Sequence, residues 1–157
     1  MLFRSSSVQN VKMSNIVQSK NIIINGSMDI AQRGTSFSSV TSTQYTLDRW
    51  RWTPGSGTGT FTLSQSTDVP SGQGFAKSFK ADCTATATPS GTNSIGLKTR
   101  FEGQNLQYLK KGTANAESLT LSFWVKSNKT GTYIAELEDN DNSRTINKSY
   151  TINSANT

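Results

Sequence analysis

The chain has 157 residues, one domain's worth by the usual prior, and only 32% of them are hydrophobic. Sixteen basic and ten acidic residues give a formal net charge of +6, with no histidine and one cysteine. The missing histidine excludes Ser-His-Asp and Cys-His catalysis and every His-ligated metal site, and the lone Cys83 excludes an intrachain disulfide and a cysteine-based zinc site.

Ser, Thr, Asn and Gly replace the absent hydrophobics, but three Trp, four Tyr and seven Phe argue against a disordered chain. The basic excess permits attraction to phosphates or acidic glycans, although the charges are scattered along the chain. Met1 to Ser7 lack an apolar run of signal-peptide length, and no stretch approaches the roughly 20 apolar residues of a membrane span. A soluble protein without membrane insertion and without conventional secretion is expected.

Residues 1–20 are polar and unpatterned and read as a flexible lead-in. Asn21 to Ile24 is a short β-branched run closed by the turn dipeptide Asn25-Gly26, and Arg33 to Ser36 reads as another turn. Thr46 to Thr53 alternates, with Asp48, Trp50 and Trp52 on one face and Leu47, Arg49 and Arg51 on the other. Thr58 to Ser66 and Ala76 to Cys83 read as strands, with Cys83 a buried small hydrophobe on the side of Phe79. Ile95 to Phe101 is the next strand. Gly103 to Lys111, with Leu106 and Leu109 three apart, predicts one or two helical turns ended by Gly112.

The clearest period-2 pattern runs from Ser118 to Ser127, where Leu119, Leu121, Phe123 and Val125 alternate with Thr120, Ser122, Trp124 and Lys126. Thr132 to Asp139 repeats it, and Asn128 to Gly131 is expected to join the two as a hairpin. Ile146 to Ile152 is the last strand. About eight short strands at intervals of roughly 8–15 residues predict an all-β, antiparallel β-sandwich or jelly roll over residues 21–157, with one short helical segment near 103–111.

Two stretches resemble a known family. One is Asn21-Ile22-Ile23-Ile24-Asn25-Gly26-Ser27-Met28-Asp29-Ile30-Ala31-Gln32-Arg33-Gly34-Thr35-Ser36-Phe37 with Tyr45-Thr46-Leu47-Asp48-Arg49-Trp50. The other is Phe101-Glu102-Gly103-Gln104-Asn105-Leu106 with Ser118 to Ser127. They resemble the jelly-roll modules, similar to carbohydrate-binding modules, of bacteriophage tail fibres and other virion structural proteins. The resemblance implies a virion location, other virion proteins and host surface glycan as partners, and a homo-oligomer, a trimer first. Members of that family continue with further closing strands. The expectation is therefore either a truncated product or a sandwich completed by strands from another chain.

Asp48 to Trp52 is the most suggestive local pattern. Trp50 and Trp52 either stack on sugars, with Arg49 and Arg51 binding hydroxyls, or they form a core strand whose arginines face solvent. Trp124 lies opposite the apolar set of its strand. It is either a binding-face aromatic or it packs beneath a neighbouring segment or subunit. Arg beside Trp also suits bases and phosphates, but nucleic acid is not the expected partner. Asp139, Asp141 and Ser143 have the opening spacing of a calcium loop, yet Arg144 and Tyr150 occupy the positions that need Gly and Glu. Asp139 and Asp141 stay the weaker candidates, for calcium, and a solvated turn is the stronger reading. A glycosidase needs two carboxylates across a cleft, and no feature selects a pair. A non-enzymatic virion adhesion module is expected first, a non-adhesive capsid decoration or assembly protein second, and a glycan hydrolase last.

Overall fold

The computed structural model describes residues 21–88, 90–91 and 93–156, so the lead-in expected over 1–20 lies outside the described residues. Most regular structure is antiparallel β, and the contacts divide the chain into two compact units with the boundary between Ala116 and Glu117. No helix among the described residues is long and apolar enough to cross a membrane.

The first unit holds two three-stranded sheets. One orders β1 (Ser36–Val40), β4 (Thr60–Ser66) and β5 (Ser78–Ala85), with β4 central. The other orders β2 (Gln44–Tyr45), β3 (Trp50–Pro54) and β6 (Ile95–Thr99), with β3 central. The chain passes between the sheets after β1, after β3 and after β5, so each sheet contains strands distant in sequence.

Side chains of both sheets meet in one core. Val40, Phe61 and Leu63 from the first sheet and Trp52 from the second are buried together, with Phe37, Phe79 and Leu97 against them. Trp52 sits edge-on to Phe61 with ring centroids 5.1 Å apart, the offset geometry that aromatic quadrupoles favour. Phe37 and Val40 both reach this core although they are three residues apart, which strict alternation forbids. The register shifts between them, and Ser39 takes a φ of +56°, so a bulge re-aims Val40 inward.

A loop with left-handed glycines links β3 to β4. Gly55 N–H donates to the Ser94 carbonyl at 2.7 Å, and Gly59 (φ +104°) passes so close to β5 that a Cβ there would lie 2.6 Å from the Ala85 carbonyl oxygen. Only glycine fits. Cys83 is exposed, not buried as the alternation suggested. β5 is an edge strand whose second half is exposed throughout, so facing the core side there does not bring burial.

No strand forms at 21–24. The segment from Asn25 to Arg33 instead clasps the loop before β3. The Asn25 side-chain amide donates to the carbonyls of Ile30 (3.0 Å) and Asp48 (2.9 Å), and its oxygen accepts the Ile30 N–H at 2.9 Å. Asp48 N–H donates to the Ile30 carbonyl at 3.1 Å, and Gln32 N–H donates to the Asp48 carboxylate at 2.6 Å. Asn25 holds φ at +55°, a conformation its short polar side chain tolerates better than most. After β6 a 3-10 helix covers Gly103–Leu109, as the Leu spacing predicts, but its left-handed cap is Lys110 and not a glycine.

The second unit is a ribbon of β7 (Gly131–Asp139) and β8 (Arg144–Ile152), paired along their whole length and joined at 140–143. The hairpin expected at 128–131 is absent, and 118–127 forms no strand, since its alternating residues find no ladder partner among the described residues. A period-2 pattern supplies a face, and pairing needs a second backbone as well. Side chains close the local turn instead: Lys129 N–H donates to Ser127 Oγ at 3.0 Å, and the Tyr133 hydroxyl donates to the Lys129 carbonyl at 2.9 Å. On the ribbon Tyr133 stacks on Tyr150 at 5.8 Å, and Phe123 meets Tyr150 edge-on at 5.3 Å. Leu137 and Ile146, cross-strand partners, remain exposed, as do Leu119, Leu121 and Val125. Antiparallel all-β structure with one short helix is thus observed, and the sheets do not close into a jelly roll.

Candidate functional site

The site grows from the turn between β2 and β3. Trp50 N–H donates to the Leu47 carbonyl at 2.9 Å, and Thr46 N–H donates to the Trp50 carbonyl at 3.0 Å, which folds Asp48 and Arg49 into a tight reversal. Arg49 takes φ +72°. A residue with a Cβ pays about 1–2 kcal/mol in that region. The strand alternation therefore begins only at Trp50, and Leu47, assigned by the pattern to the face of the arginines, is fully buried with Thr46.

From this turn Arg49 reaches the junction of β6 and the 3-10 helix. Its Nη2 donates to both carboxylate oxygens of Glu102, at 2.9 and 3.0 Å, and to the Arg100 carbonyl at 3.1 Å. Asn105 Nδ2 adds a bond to Glu102 Oε2 at 3.2 Å. The Arg49 hydrogen bond, more than any other contact, holds the Glu102 carboxyl below the usual carboxylate range. Glu102 is thus an ionised acceptor at neutral pH.

Tyr45, Arg49, Arg100, Phe101 and Glu102 line an open depression of about 310 Å³. Tyr45 is 46% exposed, and the Arg33 guanidinium lies 5.7 Å from its ring centroid. Arg33 is steered there by the clasp and by Asp48, 4.0 Å away. A ring face beside a fixed guanidinium–carboxylate pair suits a polyol: the ring covers C–H groups, the carboxylate accepts hydroxyl protons and the guanidinium donates.

The residues singled out from sequence divide. Arg49 lies in the depression and Arg51 on the same outer face, opposite Tyr45 in the β2–β3 register. Trp52 is 6% exposed and belongs to the core, which corrects its reading as a ligand-facing aromatic. Trp50 is half-buried, its Nε1 donating to the Asn25 carbonyl at 2.9 Å, so it serves the clasp. Burial places Trp52 on the core side of the pattern, where the sequence alternation left the choice open. Trp124 is 63% exposed in the second unit. Asp139 lies opposite Arg144 at the ribbon's end and accepts the Asn142 amide at 2.7 Å, and Asp141 lies in the same turn. Among the described residues no group of three His, Cys, Asp or Glu could hold a metal ion, so these carboxylates form no convergent calcium set.

Tyr45, Phe101, Glu102, Arg100 and Arg33 were not legible as site residues. Tyr45 sits on a two-residue strand that carries no readable period. Tyr45 and Arg49 lie in one stretch of the sequence and Phe101 and Glu102 in another more than 50 residues on, and the fold joins them at one depression. Comparison with family models, curated proteins and solved structures finds no match.

Proposed function

We propose that the chain is a non-catalytic adhesion module of the virion-fibre type, built as a jelly-roll-like sandwich, that contacts surface carbohydrate through the Tyr45 depression. The observation that carries the reading is the exposed Tyr45 ring beside the Arg49–Glu102 pair, in an open depression assembled from two distant stretches. A sugar would lay its C–H face on Tyr45 and share hydroxyl hydrogen bonds with Glu102 and Arg49. The depression is open to solvent, so single-site affinity is weak, and a homo-oligomer such as a trimer raises it by multivalency. A fluorescent fusion is tested on host cells with free glycans as competitors. Glycan-competed binding that is lost on Tyr45→Ala supports the reading, and no binding by a folded protein removes it.

A second reading, a non-adhesive decoration or assembly protein binding other virion subunits, is favoured by the exposed alternating row Leu119, Leu121 and Val125. An unpaired apolar segment is a template for another chain. Light scattering of the purified chain against Leu121→Lys distinguishes the two: loss of an oligomer with unchanged glycan binding assigns that row to assembly.

A further inference from the structure

The outer face of the β2-β3-β6 sheet extends the depression. Tyr45 pairs with Arg51, and Arg51 pairs with Lys98, so these side chains form one row across the three strands. Trp52 and Leu97, their neighbours on β3 and β6, point into the core, which sets this row on the opposite face. Arg100 follows Lys98 by two residues and lines the depression itself. Lys98 leans its methylenes toward Gly96, where an added Cβ would meet Cε at 3.6 Å.

The counter-charges nearby are already engaged. Glu102 is held by Arg49, and Asp48 by Arg33 and the Gln32 N–H. Among the described residues Arg51, Lys98 and Arg100 make no salt bridge. Strands about 4.8 Å apart hold the Arg51 and Lys98 backbones side by side, so their charges sum into a local positive field next to the Tyr45 ring.

We propose that this face selects glycans bearing carboxylate or sulfate groups, an inference that rests on the carbohydrate reading above. The Tyr45 ring takes a sugar face while Lys98, Arg100 and Arg51 meet anionic oxygens along the row. Single-stranded nucleic acid uses successive aromatic platforms, whereas this row offers one exposed ring.

The purified chain is tested by biolayer interferometry on immobilised polygalacturonate, its methyl ester, dextran sulfate, dextran and a single-stranded oligonucleotide, at low and physiological salt. Binding to an acidic polymer should exceed that to its neutral counterpart by about tenfold and weaken as salt rises. The arm that binds, polygalacturonate or dextran sulfate, tells carboxylate from sulfate. Lys98→Gln and Arg100→Gln, each checked by circular dichroism, should each weaken binding about threefold. Equal binding to acidic and neutral polymers overturns the charge selection and leaves the carbohydrate reading standing. Binding to no polysaccharide overturns both, and tighter binding to the oligonucleotide replaces the glycan with nucleic acid.

Discussion

Arg49 and Glu102 lie 53 residues apart in sequence, yet one guanidinium nitrogen of Arg49 donates to both Glu102 carboxylate oxygens. The contact joins the β2–β3 turn to the entrance of the 3-10 helix and fixes one wall of the depression.

That pair makes a pH prediction. Glu102 has a lowered pKa in the folded chain, chiefly through the Arg49 hydrogen bond. The folded state therefore holds its proton less tightly than the unfolded state, and the contribution to stability is fully present above the ordinary carboxylate pKa. It is lost as pH falls through the lower, folded value. A carboxyl-carbon NMR titration should place the Glu102 midpoint below the ordinary range, and Arg49→Gln should return it upward. A wild-type midpoint in the ordinary range contradicts the pairing.

Asn25 organises the clasp. Asn25→Ala removes its side-chain bonds to Ile30 and Asp48 and places a residue with no local polar side chain at φ +55°. Urea unfolding should show a loss of about 2 kcal/mol. Asn25→Gly accepts the backbone conformation but still loses the bonds, so it should recover only part of that loss.

Two glycines of one loop give an internal contrast. Gly57 (φ +68°) has nothing within 4 Å of an added Cβ, whereas Gly59 (φ +104°) has the Ala85 carbonyl oxygen at 2.6 Å. Gly57→Ala should cost about 1 kcal/mol of backbone strain alone. Gly59→Ala must also push β4 from β5 and should cost at least about 2–3 kcal/mol in the same unfolding measurement. Equal effects would contradict the close approach.

The tryptophans should differ in access to iodide. Trp124 is 63% exposed and Trp52 is 6% exposed. Trp124→Phe should remove most of the quenchable fluorescence of the monomer, and Trp52→Phe little of it.

Much of the strand plan was legible because period-2 runs at β4, β5, β6, β7 and β8 coincide with real pairing partners. The same signal failed at 118–127, where alternation exists without a partner, and the β-branched run of Asn21 to Ile24 forms no strand because side-chain bonds from Asn25 bind the chain to the Asp48 loop instead. β1 escaped notice since its bulge at Ser39 breaks the period between Phe37 and Val40. At the candidate site Arg49 was legible from its place beside Trp50. Its partner Glu102 was not, because a contact 53 residues away leaves no local period to read. A turn residue with positive φ then decided where Arg49 points.

The most direct test is retention of the purified chain on immobilised polysaccharides, comparing wild type with Tyr45→Ala and Trp124→Ala, each shown to be folded by circular dichroism. Adhesion through the depression predicts that Tyr45→Ala weakens retention about tenfold while Trp124→Ala leaves it unchanged. Retention by folded Tyr45→Ala equal to wild type would contradict that account and move the binding surface elsewhere on the chain.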